Sequence, residues 1–193
     1  MPARFVYWMN VSLDLKIERR ANEQGGGDWL RIGESLHRDF NERAGTLSMM
    51  IQGRRIYETM EGFWPTAREN AGLPDYLREY GTIWTDIPKI LVSRTRTTAG
   101  HNTEIYGDDA MERLAALRAG GEGDIGVGGA SLASQLVTSG LLDGLVLYVH
   151  PVVLGEGRPL FDEGTPSVEC DVLEQRSFDG GVTLHRYAVR TRQ

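Results

Sequence analysis

The stretch "IGVGGASLASQL", residues 125–136, joins a short apolar run to a run of small and apolar residues through two adjacent glycines, Gly128 and Gly129. The first half reads as a buried strand and the second as a helix that ends at Gly140. Two glycines at such a junction have two readings. Either the turn is simply tight, or something must come very close to the backbone. In an open α/β sheet, ligands bind beyond the carboxyl ends of the strands. A helix starting near Ala130 aims its first N–H groups at that place, and a strand end without Cβ atoms admits an anion. The backbone of Ala130, Ser131 and Leu132, with the Ser131 hydroxyl, is the candidate anion cradle. The stretch matches neither G-x-G-x-x-G nor a P-loop.

The same design recurs upstream. In "MIQGRRIYETM" (50–60) a strand ends at Gly53, and Arg54 and Arg55 open the next helix. Cations there oppose the helix dipole, and an anion between them would relieve that. In "VSRT" (92–95) a third strand end sets Ser93 beside Arg94. Singly, each arginine reads as a solvated surface charge. Together, three strand ends with N–H groups, guanidinium forks and a hydroxyl suit a phosphate-bearing nucleotide.

The remaining chain frames these junctions. "RFVYWMNVS" (4–12) reads as the first strand, and 18–29, with Gly25, Gly26 and Gly27, as a loop. Residues 33–45 carry Leu36, Phe40 and Ala44 one turn apart and read as an amphipathic helix. "FWPTAREN" reads as loop and "LPDYLREYGTIW" as a helix entered through Pro74. "KILVS" and "TEIYG" read as strands, and Asp108 stands where it would cap a helix over 108–121. From residue 143 the texture changes to three strands without helices, the last two joined by "DGG" at 179–181. Strand–helix units followed by a β-rich tail predict an α/β fold. Its sheet is largely parallel, with antiparallel strands added at one edge.

Composition narrows the function. The 193 residues fit one domain, and no linker or repeat divides them. A net charge of −6 argues against a nucleic-acid or anionic-membrane surface. No apolar stretch approaches the length of a membrane span, and the N-terminal run is too short and polar for a signal peptide. A single cysteine, Cys170, allows no internal disulfide and fits a reducing, cytoplasmic setting. No Cys-x-x-Cys and no His-x-Glu offers a metal site.

The order of "VSLDLKI", "GDW", "GRRIYE", "KILVSRT", "GVGGASLASQL" and "HPVVLGEGRPLF" resembles dihydrofolate reductase-like proteins. It is most similar to the reductase domain of the riboflavin-biosynthesis deaminase-reductase and its stand-alone relatives. The resemblance spans almost the whole chain. It implies a three-layer αβα fold with an eight-stranded, mostly parallel sheet, an NADPH-dependent reduction and a homodimer. In that reading Gly128 and Gly129 lie against the pyrophosphate. Arg54, Arg55, Ser93 and Arg94 surround the adenosine and its 2′-phosphate, and Asn10 and Ile17 flank the nicotinamide. The chain departs from the family at three places. Leu15 stands where "SLDG" has glycine, Val127 where the riboflavin enzymes have an acid, and His37 near where folate reductases carry a carboxylate. A riboflavin-pathway or folate substrate is therefore not expected.

For the chemistry, Asp14 enters the cofactor loop and is the first candidate for substrate contact or proton relay; it reads equally as a turn residue. His37 titrates near neutrality and is the second, as a proton donor. Trp29, Tyr57 and Trp64 are candidate walls for a flat substrate, or simply core. The aromatic-rich segment 62–86 reads as a cover for the site or a subunit contact. Two other classes stay open: a non-catalytic dinucleotide-binding protein, and a partner-binding subunit without a nucleotide.

Overall fold

The computed structural model describes residues 2–19 and 27–190; Gly25 and Gly26 lie outside them. The first strand, β1 (Arg4–Val11), turns into a short β2 (Lys16–Glu18). Then come α1 (Glu34–Gly45), β3 (Met49–Gly53), α2 (Arg54–Glu61), α3 (Trp64–Glu69), α4 (Asp75–Asp86), β4 (Lys89–Val92) and β5 (Thr103–Tyr106). The glycine junction follows α5 (Ala110–Gly120) and consists of β6 (Asp124–Gly128) and α6 (Ala130–Thr138). The tail is β7 (Leu142–Val149), β8 (Arg158–Pro159), β9 (Cys170–Ser177), a 3-10 turn at Asp179–Gly181, and β10 (Thr183–Val189).

Eight strands form one sheet in the order β5-β4-β3-β6-β1-β7-β10-β9, and β2 pairs with β8 apart from it. From β5 to β7 every pairing is parallel; β10 and β9 are antiparallel. The α/β class and the antiparallel C-terminal edge are as the pattern predicts. Helices cover both faces, giving three layers. On one side, α5 and α6 bury Leu114, Leu132 and Leu136 against Phe5, Ile51 and Ile125. On the other, α1, α2 and α4 bury Leu36, Phe40, Tyr57 and Trp84 against Met50, Leu91 and Tyr148. Alternate residues of each central strand therefore serve opposite cores.

Two local expectations need correction, and one pair of strands was not expected at all. "FWPTAREN" is not loop but contains α3, with Pro65 in its first turn. Proline there lacks only an N–H that would be unpaired anyway, so it starts the helix rather than breaking it. Asp108 does not cap α5; Asp109 holds the N-cap position, and no side-chain cap bond forms. The short β2 and β8 carry no pattern of their own and exist because the loops after β1 and β7 run side by side.

Candidate active site

The sheet register brings the predicted strand ends together. Val92 of β4 pairs with Gly53 of β3, and Gln52 of β3 with Gly128 of β6. The three junctions are thus consecutive along the carboxyl edge. Beside them β1 runs further, carrying Asn10 beyond its last pairing with β6 at Tyr7–Val127. From β4 to β1 this edge crosses three strand spacings, about 14 Å.

At its middle the backbone is bare. Gly129 has φ +109°, which disfavours any side chain, and a Cβ there would sit 3.7 Å from the backbone of Gly53. The first intrahelical bond of α6 runs from Ala133 N–H to Gly129 C=O. The N–H groups of Ala130, Ser131 and Leu132 lie ahead of it. The side chains of Ala130 and Leu132 are buried in the core, so these residues offer only backbone. The Ser131 hydroxyl accepts a 2.7 Å bond from Arg158, a cation that composition alone did not single out. N–H donors, a guanidinium and a Cβ-free strand end fit a pyrophosphate.

The outer arginines differ from expectation. Arg54 is ion-paired at 3.0 Å with Glu58, so the anion answering its position in the helix is in the chain itself. Arg55 is largely exposed, 3.8 Å from Glu18. Ser93 is buried, and its Oγ accepts the N–H groups of Thr95 and Arg96, shaping the turn after β4. Arg94 is exposed and makes no ion pair among the described residues. It is Arg96 that folds back, bonded to Glu61 and lying over the Tyr57 ring.

Beside the bare edge opens a cleft of about 480 Å³, within the usual range for small-molecule sites. Asn10, His37, Gln52, Trp64 and Gly128 line it. Of the predicted aromatic walls, Trp64 contributes; Tyr57 is buried and donates to Gly100 C=O, and Trp29 packs edge-on against His150. Tyr76 and Tyr80 join Trp64, so α3 and α4, the segment read as cover or subunit contact, supply one wall. Ile17 packs toward the α6-side core and is not a cleft residue.

Two hydrogen-bond chains fix the polar groups. Arg31 N–H donates to Nδ1 of the fully buried His150 at 3.0 Å. The ring proton is then on Nε2, which donates to Asn10 Oδ1 at 2.9 Å. Burial, helped by Arg31, holds the His150 pKa down at about 4, so the ring is neutral. The Asn10 amide is oriented by this chain, and its NH₂ is left for the cleft. His150 stood in the quoted "HPVVLGEG" without a role; a histidine closing an apolar strand was its only signal.

The second chain concerns His37. Asn41 Nδ2 donates to Tyr76 C=O at 2.8 Å and to Glu79 at 2.6 Å, so Asn41 Oδ1 faces His37 Nδ1 as an acceptor, 3.1 Å away. His37 therefore carries its proton on Nδ1, and burial lowers its pKa. Its other nitrogen, Nε2, is an acceptor at neutral pH. The expected proton donor is instead a lone pair in an aromatic surround of Phe40, Trp64, Tyr76 and Tyr80.

Asp14, the other expected catalytic residue, lies outside this cleft. Its carboxylate accepts the Ser12 hydroxyl and the N–H groups of Leu154 and Gly155, which hold its pKa down at about 2. It pins the β1–β2 turn to the loop after β7. Asp39, close in sequence to the carboxylate position of folate reductases, faces away from the cleft, toward Tyr148, Arg43 and Arg176.

Comparison with known proteins agrees with this architecture. Residues 5–184 match the model of the RibD C-terminal domain, and the chain belongs to that family. The Bacillus subtilis (strain 168) protein YyaP is 27% identical over 180 residues, covering 93% of this chain and 91% of its own. A Shewanella sp. PV-4 protein assigned by its name to riboflavin biosynthesis superposes with a TM-score of 0.73 at 18% identity, covering 98% and 99% of the two chains. Enterococcus faecalis dihydrofolate reductase, solved with NADP(H), superposes with a TM-score of 0.62 at 13% identity, covering 96% of each. The fold is dihydrofolate reductase-like.

Proposed function

We propose that this protein is an NADPH-dependent reductase of a small heterocyclic or carbonyl substrate. The observation that carries this reading is the bare edge of three consecutive strand ends, with the start of α6 at its centre, opening directly onto an aromatic cleft. The family and the folate reductase solved with NADP(H) support it.

When bound, the cofactor supplies a hydride to a C=N or C=O carbon, and the heteroatom takes a proton from solvent. The chain's residues bind and orient. Gly128, Gly129 and the N–H groups of Ala130, Ser131 and Leu132 hold the pyrophosphate, with Arg158 beside them. Arg94, with Arg54 and Arg55, takes the 2′-phosphate side. Asn10, held by His150, presents its NH₂ where the edge meets the cleft. The aromatic wall excludes water from a flat substrate. The homodimer is part of the proposal, read by sedimentation at micromolar concentration.

Titration with NADPH and NADH tests the reading. NADPH binds at least tenfold more tightly, and Arg94→Ala removes most of that preference while leaving NADH unchanged. Arg54→Ala acts less, because Glu58 already engages Arg54. Absence of binding by either dinucleotide overturns the proposal.

A further inference from the structure

One buried ring joins three segments that are far apart in the chain. His150 directly follows β7 and is fully buried. Its Nδ1 accepts from the backbone N–H of Arg31 at 3.0 Å, and its Nε2 faces Asn10 Oδ1 at 2.9 Å. Trp29 packs edge-on against it, with ring centroids 5.4 Å apart. Trp29 and Arg31 belong to the loop over residues 27–33, whose Leu30 and Ile32 line the cleft. A single loop thus supplies part of the cleft wall, the cover of the ring and the hydrogen bond that fixes its tautomer.

The loop itself is lightly held. Trp29 is its one buried side chain; Gly27, Asp28, Arg31, Ile32 and Gly33 are exposed. Asp28 pairs with Arg19 on the surface. Arg31 Nη1 reaches Gly180 C=O at 3.4 Å, and the Ser35 hydroxyl reaches Asp179 at 3.4 Å, both long bonds to the turn before β10. A segment with so few buried contacts opens locally at low cost.

The tautomer of the ring decides what Asn10 shows the cleft. A neutral imidazole has one donor nitrogen and one acceptor nitrogen. While the Arg31 N–H occupies Nδ1, the ring proton is on Nε2, Asn10 turns its oxygen to the ring, and its NH₂ faces the cleft. Without that N–H the proton can sit on Nδ1. Nε2 then accepts from Asn10, the amide turns over, and the cleft meets an oxygen in place of a donor.

We propose that His150 is a positioning residue that couples the docking of loop 27–33 to the orientation of the Asn10 amide, so that the donor is in place only while the loop completes the cleft wall. A ligand that accepts from Asn10 then favours the docked loop, and the docked loop favours that ligand by the same factor. The coupling stands on the chain's own hydrogen bonds. Only the choice of NADPH as the ligand, with the acceptor oxygen of its carboxamide, rests on the reductase reading.

Histidine nitrogen NMR and amide hydrogen exchange at neutral pH test it. In the wild type the His150 ring is expected as the Nε2–H tautomer, and the Arg31 amide as protected although the residue is exposed. Arg31→Pro removes the donor N–H, and the ring is then expected to lose its single Nε2–H signature. Asn10→Leu, close in shape, removes the acceptor at the other end; exchange at Arg31 is expected to rise about fivefold, the effect of one weakened hydrogen bond on docking. NADPH, its binding measured separately by calorimetry, slows Arg31 exchange in the wild type and not in Asn10→Leu. An Nδ1–H ring in the wild type overturns the proposal. So does a ring that keeps Nε2–H in Arg31→Pro, Arg31 exchange indifferent to Asn10→Leu, or NADPH that binds the wild type and leaves Arg31 exchange unchanged. If neither dinucleotide binds, the reductase reading falls, while the ring and the two variants still decide the coupling.

Discussion

Leu15 shows what one residue must tolerate to keep a loop. Its φ is +54°, in the left-handed region where the related "SLDG" motif has glycine. The turn closes because Leu15 N–H donates to Ser12 C=O, and Leu15 C=O accepts from Leu160. The glycine-type backbone survives with a half-exposed leucine in it, at a cost of about 1 kcal/mol. Leu15→Val, β-branched and less tolerant still, should therefore lower stability by about 1 kcal/mol, whereas Leu15→Gly should leave it equal or higher. Urea unfolding of both reads this, and a marked loss in Leu15→Gly would contradict the strain.

His150 gives a residue-scale prediction in pH. Its pKa is about 4 in the fold and about 6.5 unfolded. The unfolded chain binds the extra proton between those values, so stability is full above pH 6.5 and falls as pH drops toward 4. His150→Gln, which keeps polar reach without titrating, should flatten that part of the stability–pH curve relative to wild type. An unchanged slope would mean that the ring is not held neutral. This role was not legible in the sequence. A polar residue in an apolar strand carries no sign of which partner awaits it.

At the scale of elements, the crossing of α3 and α4 depends on Gly81. A Cβ there would lie 2.7 Å from Trp64 C=O and 2.8 Å from Arg68 N, both backbone. Backbone cannot swing aside, so Gly81→Ala should separate the two helices and cost roughly 1–3 kcal/mol. Because Trp64 and Tyr80 sit on these helices in the cleft wall, substrate affinity should fall with it. An alanine variant with unchanged melting temperature would argue against close contact. The end of α4 is set differently: buried Lys89 donates to the carbonyls of Trp84 and Ile87. Pro74 announced the start of α4, but nothing in the sequence announced its crossing with α3. Proline in "FWPTAREN" looks like a breaker until the first turn of the helix is placed around it.

Across the whole molecule, the parallel body and the antiparallel tail are tied by one network that starts at buried Asp39 and runs out to half-exposed arginines. Asp39 of α1 accepts from Tyr148 of β7 at 2.6 Å and from Arg43 at 2.9 Å, and it meets Arg176 of β9. Glu174 joins Arg43 to Arg186 of β10. Asp39 is 5% exposed, so Asp39→Asn would leave Arg176 without its carboxylate and Arg43 with Glu174 alone. The expected loss is about 3 kcal/mol, measured by denaturant unfolding; a loss below about 1 kcal/mol would mean that solvent screens the network.

By itself the sequence determined the period of each long element, the glycines at the strand ends and the order of strand–helix units. These are local properties, carried by spacing and by backbone freedom, and from them the α/β class and the candidate phosphate edge followed. Only the tertiary structure decided that β4, β3 and β6 stand side by side, because parallel pairing joins residues far apart in the chain. It alone turned Asp14 and Asp39 away from the cleft and brought His37, Gln52 and Asn10 into it. Side-chain partners depend on which elements meet and on which ring nitrogen holds the proton, and neither is written in any neighbouring residue.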